Sequence, residues 1–505
     1  MEQLEPGSSA YNICRAVRLT GPLNVEILES SLNEIVRRHE VMRTTFQIAD
    51  GQPVQIIASE LKASIKLIEL FRLSNAEGDT EVGRLIAEEA DRPFDLCAGP
   101  LLRATLLRLR GDDHILILTT HHIVSDAWSM GIVTRELWTL YEAYAAGKSS
   151  PLKDVPVQYA DYAVCQREWL QGEVLESQLS YWRKHLENLP MLNLPTDRPR
   201  PAQQSCLGAR QPITLSESLT TAVNELSRRE GVTQFMTLLA VFYVLLYRYS
   251  EQEDVVVGSP IANRNRTEID GLIGFFVNTL ILRADLSGTP TFKELLLRVR
   301  EVCLDAYTHQ DLPFERLVQE LQPERDVSRN PLFQVMFILQ NAPRPLAKVS
   351  DLSFRQLEIG HARSPFDLSL FLRERDGKII GFFEYSTDLF ESSTIQRMIG
   401  HFETLLEGIV ADPEQPISTL PLLTEIERHQ LLVEWNDTAG DYPKDSCIHE
   451  LFEERVERTP NAVAVRFEGK QVTYRELNAR ANQLAHYLQR LGVGPEKRVG
   501  ICVER

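Results

Sequence analysis

Apolar side chains recur at helical spacing through Leu28, Leu32, Ile35 and Val36. The run ends on Arg37 and Arg38, cations that suit a helix C-terminus. A strand is predicted over 44–48, and a short helix over 81–90 closed by the turn Arg92, Pro93, Phe94. Strands over 101–108 and 115–120 flank the turn Gly111, Asp112, Asp113. From 130 to 146, Ile132, Val133, Leu137, Leu140, Tyr141 and Tyr144 share one helical face, with Gly147 as the stop. The stretch 190–212, carrying Pro195, Pro199 and Pro201, is polar and proline-rich and reads as an interlobe linker. Beyond it, helices over 222–229, 233–249 and 291–307 mix with strands over 255–260, 275–283, 334–339 and 379–385. A further break falls at 420–442, around Asn436, Asp437, Gly440 and Asp441, and a new helix starts near Ile448. With no internal repeat, the pattern predicts two α/β lobes and a C-terminal fragment.

Length and composition narrow the class. A chain of 505 residues exceeds one ordinary core, since domains average about 100–200 residues. Hydrophobic residues at 43% and charged residues at 25% are ordinary globular usage. A net charge of −17 with no long basic run argues against a nucleic-acid partner. Seven scattered cysteines, never in C-x-x-C, predict neither a disulfide framework nor a zinc knuckle, and fit a reducing compartment. The first twenty residues, with Glu2 and Glu5, lack a secretory apolar region. The most apolar run, 235–247, is too short to span a bilayer and predicts a buried helix. The expectation is a cytoplasmic protein with no membrane segment.

The run Thr120, His121, His122, Ile123, Val124, Ser125, Asp126, Ala127, Trp128, Ser129 sits between the apolar strand Ile115, Ile117 and the helix from Met130. Side chains alternate across a strand, so His121 and His122 should face opposite ways, one lining a cleft and one packing inward. A histidine at a strand-to-helix turn suits general-base work, its reference pKa of about 6.5 leaving it largely neutral near pH 7. Asp126 could cap the helix, pair with a cation or orient the imidazole. Diverging neighbours disfavour a metal site, and the absence of G-x-S-x-G disfavours a serine hydrolase. Local physics leaves the base and a structural pair of core histidines both open.

His121-His122-x-x-x-Asp126-Ala127 resembles the H-H-x-x-x-D-G signature of nonribosomal peptide synthetase condensation domains, relatives of chloramphenicol acetyltransferase. Five further blocks follow the family's order. They are Arg38-His39-Glu40-Val41-Met42-Arg43-Thr44-Thr45-Phe46, the block from Tyr159 to Val164, that from Ile273 to Thr279, that from His309 to Glu315, and that from Arg325 to Leu332. The resemblance runs from Glu5 to Leu423. It implies a two-lobed chloramphenicol acetyltransferase-like α/β condensation fold, a V-shaped pseudo-dimer. The lobes are expected at 1–185 and 186–425, with the interlobe linker at about 186–212. The family's first block is absent, which implies a start truncated by a dozen or so residues. Ala127 stands where the family has glycine, at a cost on the order of 1 kcal/mol if that position needs φ > 0. The order Asp126, Ala127, Trp128, Ser129 resembles condensation rather than epimerisation domains. The intact histidines separate it from heterocyclisation domains, implying plain amide formation.

The tail, with Arg458-Thr459-Pro460, the segment from Val472 to Leu477 and Gly492-Val493-Gly494, resembles the opening of an amino-acid adenylation domain. A linker at 426–446 and a truncated adenylation start at 447–505 are expected. The phosphate-binding loop and the Gly-Gly-x-Ser carrier motif are absent, implying no ATP site and no attached arm on this chain.

The resemblance implies peptide-bond formation between two thioesters, each on the 4'-phosphopantetheine arm of a donor or acceptor peptidyl carrier protein supplied in trans, beside a downstream adenylation domain. His122 is then the catalytic histidine, His121 orients the loop, and Asp126 pairs with Arg264. Ser129 supports the site. Asn278 either faces the reacting carbonyl or is a satisfied core residue, and Arg43 either lies near the cleft or is a surface cation. The blocks from His309 and Arg325 are architectural, with Pro313 and Pro331 fixing turns and Phe314 and Phe333 packing. A catalytically idle docking platform of the same fold is the alternative, disfavoured by intact His122 and Asp126. A stand-alone coenzyme A acyltransferase is disfavoured by the adenylation-like tail.

Overall fold

The computed structural model describes residues 7–502 except 10, 72–74, 323–325, 327, 341–350 and 358–361. Glu2, Glu5, Arg325 and Val327 therefore lie outside the described residues. The chain forms two compact units, Met1–Glu425 and Ile426–Arg505.

The first unit holds strands β1 (Asn12–Thr20), β2 (Thr44–Ala49), β3 (Gln52–Ile57), β4 (Ile65–Glu69), β5 (Leu102–Arg110), β6 (Asp113–His121), β7 (Leu207–Thr214), β8 (Asp254–Ile261), β9 (Asn278–Asp285), β10 (Val335–Leu339), β11 (Ser353–Leu357), β12 (Ala362–Arg363), β13 (Leu368–Arg375) and β14 (Lys378–Ser386). They form a five-stranded sheet in the order β11-β1-β6-β5-β4, a seven-stranded sheet in the order β12-β7-β14-β13-β10-β8-β9, and a β2–β3 ribbon.

β6 is central, and its run of apolar residues is buried on both faces. Leu116 and Leu118 join the core made by the helices Val25–Arg38 and Ala127–Ala145. Ile115 and Ile117 alternate to the other face, where Val82 and Ile86 of the helix Asn75–Asp91 cover them. That helix begins before the predicted 81–90.

The second sheet is covered by Glu217–Arg229, Gln234–Ser250, Phe292–Thr308 and Ser392–Ala411. Every residue from Met236 to Leu246 is buried, which accounts for an apolar run without a polar face. No single helix among the described residues is long and apolar enough to cross a membrane.

Three features add detail to the expected lobes. The helix Gly172–His185 belongs to the second core, through Leu179 and Trp182, so that lobe's packing begins ahead of residue 186. The proline-rich stretch is not all linker, because its last residues form β7. Among the described residues β12 pairs with Leu207 and Gly208, and on the other side Pro212 lies opposite Phe382 of β14. Finally, β11 pairs antiparallel with β1, Ser353 opposite Thr20 and Leu357 opposite Ala16, so the first sheet is completed from the second half of the sequence.

The second unit contains the helices Ile448–Arg458 and Tyr474–Arg490 and a ribbon of β15 (Val463–Phe467) and β16 (Lys470–Thr473). The last helix is capped by Thr473 and Glu476 in a reciprocal box. Leu477 and Leu488 are half-buried and Leu484 is 58% exposed, so its apolar stripe is largely uncovered.

Candidate functional site

β6 delivers the paired histidines. The His121 amide donates to the Leu101 carbonyl at 3.2 Å, and the His122 amide donates to the Tyr11 carbonyl at 2.8 Å. The strand ends at His121, and His122 opens a single 3-10 turn, His122–Val124. The rings separate as alternation predicts, although the second residue is already off the strand. His121 is buried, its Nδ1 accepting the Ile123 amide at 3.1 Å, with Tyr11 and Phe94 ring centroids 6.1 and 6.2 Å away. That bond requires the tautomer with the proton on Nε2.

His122 is half-buried, with the ring of Phe275 perpendicular to it, 5.1 Å between centroids at 88°. Burial pushes its pKa below the ordinary histidine value, opposed by its own carbonyl, the Asp126 carboxylate and the Ser125 carbonyl. The imidazole is therefore neutral at pH 7, with a lone pair available to a proton.

Asp126 is both cap and counter-ion. Its Oδ1 accepts the Ser129 amide at 2.7 Å, capping Ala127–Ala145, and its Oδ2 accepts the Phe276 amide at 3.0 Å. Arg264 stands 3.7 Å away, and the side chains are 3% and 1% exposed for Asp126 and Arg264. The guanidinium also donates to the Ile269 and Leu272 carbonyls at 2.5 and 2.8 Å and to Ser129 Oγ at 2.9 Å. Its carbon lies 4.1 Å from the Phe276 ring centroid, a cation–π contact. Ala127 is the first helical residue and is not in the left-handed region, so the alanine carries no backbone penalty.

Ser129 is fully buried and joins the two halves of the unit. Its hydroxyl donates to the Gly274 carbonyl at 2.8 Å and accepts the Gly274 amide at 3.1 Å. Trp128 Nε1 donates to the Asp270 carbonyl at 3.1 Å, and the Tyr159 hydroxyl donates to the Phe275 carbonyl at 2.9 Å. Burial pushes the Tyr159 phenol far above its usual range, so it stays a neutral donor. The backbone of 274–276 is thus held by Ser129, Tyr159 and Asp126 in turn. This is why the strand predicted from 275 begins only at Asn278. A methyl at Gly274 would lie 2.2 Å from the Tyr159 ring, which explains the glycine.

Asn278 spends its whole amide on structure. Nδ2 donates to the Gln310 and Leu312 carbonyls, both at 2.8 Å, and Oδ1 accepts the Thr279 and Phe314 amides, both at 2.9 Å. Its amide is thus fully satisfied within the fold. Arg43 is not a plain surface cation. It is largely buried, bonded to the Ala58 carbonyl and to Glu40 at 3.2 Å, and ties a turn to the β2–β3 ribbon. Among the described residues no cluster of three or more histidine, cysteine or acidic side chains is poised to hold a metal, and no cysteines are bridged. Sequence reasoning gave no role to Tyr159 or Phe275, although both fall inside the family-like blocks.

The Condensation domain family matches residues 1–432, and the AMP-binding enzyme family matches residues 452–505. A linear gramicidin synthase polypeptide of Brevibacillus parabrevis is 49% identical over 508 residues, covering 100% of this chain and 10% of that protein. Malpinin synthetase of Mortierella alpina is 46% identical over 506 residues, covering 100% of this chain and 6% of that protein. The chain therefore spans a small part of the relatives it matches. Among solved structures, an X-domain from teicoplanin biosynthesis aligns with TM-score 0.76 at 28% identity, covering 83% of this chain and 94% of that one. A four-domain nonribosomal peptide synthetase bound to AMP and glycine shares the fold, with TM-score 0.80 at 23% identity over 97% of this chain and 38% of the other.

Proposed function

The chain belongs to the condensation-domain family of nonribosomal peptide synthetases, followed by the start of an AMP-binding enzyme, and on that premise we propose that it joins two carrier-bound thioesters into a peptide. The acceptor's α-amine attacks the donor's thioester carbon. A C–N bond forms, a tetrahedral oxyanion appears, and the C–S bond breaks to release the donor arm as a thiol. The amine's proton passes to His122 as the bond forms and from there to the departing sulfur, so the imidazole ends neutral.

One observation carries this reading: a half-buried imidazole at the end of β6, its pKa lowered by burial, on a loop that Asp126 and Ser129 tie to the backbone of 274–276. Energetics decide how much to ask of it. An α-amine of pKa about 7.8 is roughly one-seventh neutral at pH 7, so freeing it beforehand costs only about 1 kcal/mol. Holding two reactants in attack geometry contributes about 7–11 kcal/mol. Positioning dominates, and His122 holds the amine while taking its proton. The phosphopantetheine arms belong to the substrates, on donor and acceptor carrier proteins, and the adenylation domain that begins after residue 446 is the neighbouring partner.

The test is product formation from donor and acceptor carriers charged with aminoacyl thioesters. His122→Ala should lower turnover about 10²–10⁴-fold with unchanged melting temperature and carrier binding. His121→Ala should act through folding, because its Nδ1 holds the Ile123 amide. Wild-type turnover by His122→Ala on a slow-reacting acceptor would remove the general-base role.

A further inference from the structure

The loop 274–276 does more than join the two halves of the unit. Three successive residues are fixed by three different side chains: Gly274 by Ser129, the Phe275 carbonyl by Tyr159, and the Phe276 amide by Asp126. Fixing the backbone on both sides of Phe275 leaves its ring little freedom except χ rotation. The ring it meets is His122, 5.1 Å away at 88°. Phe275 is only half-buried, in contrast to Phe276 next to it, which is 2% exposed. Phe275 is therefore partly exposed while its ring contacts the imidazole. Nothing in the core requires a phenyl group there, since the three bonds that hold the loop use backbone atoms alone.

We infer that Phe275 is a positioning residue for condensation, its ring holding the His122 imidazole in one orientation and keeping water from that side. The inference rests on the proposed role of His122 for its catalytic meaning, but the contact itself does not. An aromatic edge-to-face pair prefers this perpendicular arrangement. A dry apolar wall on one side of an imidazole disfavours the charged form. Burial is the leading cause of the lowered pKa at His122.

The ionisable groups around the ring are few. Asp126, from the cap of the following helix, favours the charged imidazole and is itself offset by Arg264. His121 precedes it with its ring turned toward Tyr11 and Phe94. Tyr159 reaches the loop as a neutral phenol. Exchanging Phe275 alters none of these charges, so any shift in the titration of His122 reports the wall itself.

The experiment is a proton–carbon NMR titration of His122 in ring-labelled protein, assigned by loss of its signal in His122→Gln. Phe275→Ala should move the midpoint upward toward the ordinary histidine value. Phe275→Leu, which keeps apolar bulk, should restore most of the wild-type midpoint. Tyr159→Phe removes the hydroxyl that holds the Phe275 carbonyl but keeps the ring under Gly274, and should move the midpoint in the same upward direction. The acidic limb of the condensation rate should shift to higher pH in the same order, with KM for both carriers unchanged. A wild-type midpoint in folded Phe275→Ala overturns the inference. Should Phe275→Ala fail to fold, a wild-type midpoint in Tyr159→Phe overturns it. A shifted midpoint with no condensation by wild-type protein would instead refute the proposed function and leave the contact standing.

Discussion

Replacing Asp126 separates its two roles. Asparagine caps helices as well as aspartate does, so Asp126→Asn keeps an acceptor for the Ser129 amide, now 2.7 Å from Oδ1. What it loses is the charge facing Arg264, between side chains 3% and 1% exposed. Breaking a buried pair on one side costs about 3–5 kcal/mol, because the other charge is left in the interior. The lower end applies. The separation is 3.7 Å, and Arg264 keeps the Ile269 and Leu272 carbonyls and Ser129 Oγ. The new amide group would also point an N–H at the Phe276 N–H, where a carboxylate oxygen now accepts, for roughly 1–3 kcal/mol more. These contributions share partners and do not add fully. The expectation is a loss of about 3–4 kcal/mol for Asp126→Asn, and about 1 kcal/mol more for Asp126→Ala, which also forfeits the cap. Losses of that size are a large part of a net stability of about 5–15 kcal/mol. Urea unfolding followed by tryptophan fluorescence reads this directly, Trp128 lying beside Arg264 with 5.8 Å to its ring. Arg264→Met closes the double-mutant cycle. An Asp126→Asn protein within about 0.5 kcal/mol of wild type would mean that Asp126 is only a cap.

Gly274→Ala should cost about 1–3 kcal/mol by overpacking, since its methyl would lie 2.2 Å from the Tyr159 ring; a melting temperature equal to wild type would refute the close approach. Asn278→Leu should release the loop at Gln310–Phe314 and make the Phe314 amide exchange faster with deuterium, an outcome checked by mass spectrometry. The folded pKa of His122 lies below its unfolded value, so its contribution to stability is present above the ordinary histidine pKa and is lost as pH falls through the folded one. His122→Gln should therefore become more stable relative to wild type as pH is lowered from about 7.5 to 5.5, and a stability difference that does not change with pH would contradict the burial effect.

The sequence was most readable where structure is local. β6 and the helix after it follow from an apolar run, a turn and a 3.6-residue period, and Ala127–Ala145 begins three residues before the predicted start because Asp126 supplies the cap. β1 escaped detection because Arg15 and Arg18 break its apolar pattern, and its place depends on β11, hundreds of residues away. The pairing of Asp126 with Arg264 has no local signature; family resemblance supplied it. Energetics did better at Asn278, since a buried amide must find partners, and it has four. Where those partners lie is irregular backbone around Pro313, which no periodicity marks. Phe275 was passed over because strand periodicity ran through it, while three side chains from the first half of the chain hold its segment out of the strand.

The strand exchange at β11 sets the order in which this protein can be made and the places where it can be divided. Ala16 to Thr20 have no partner on their outer side until Ser353–Leu357 exists. At about 5–20 residues per second, a ribosome needs tens of seconds between the two strands. Throughout that interval the nascent first sheet offers an open edge to any neighbouring chain. A chimera joined inside 190–212 would reproduce the problem permanently whenever its second half came from a protein whose matching strand met β1 poorly. Recombination junctions placed beyond residue 425 keep both strands from one parent, and expression yield from the two kinds of chimera would differ accordingly.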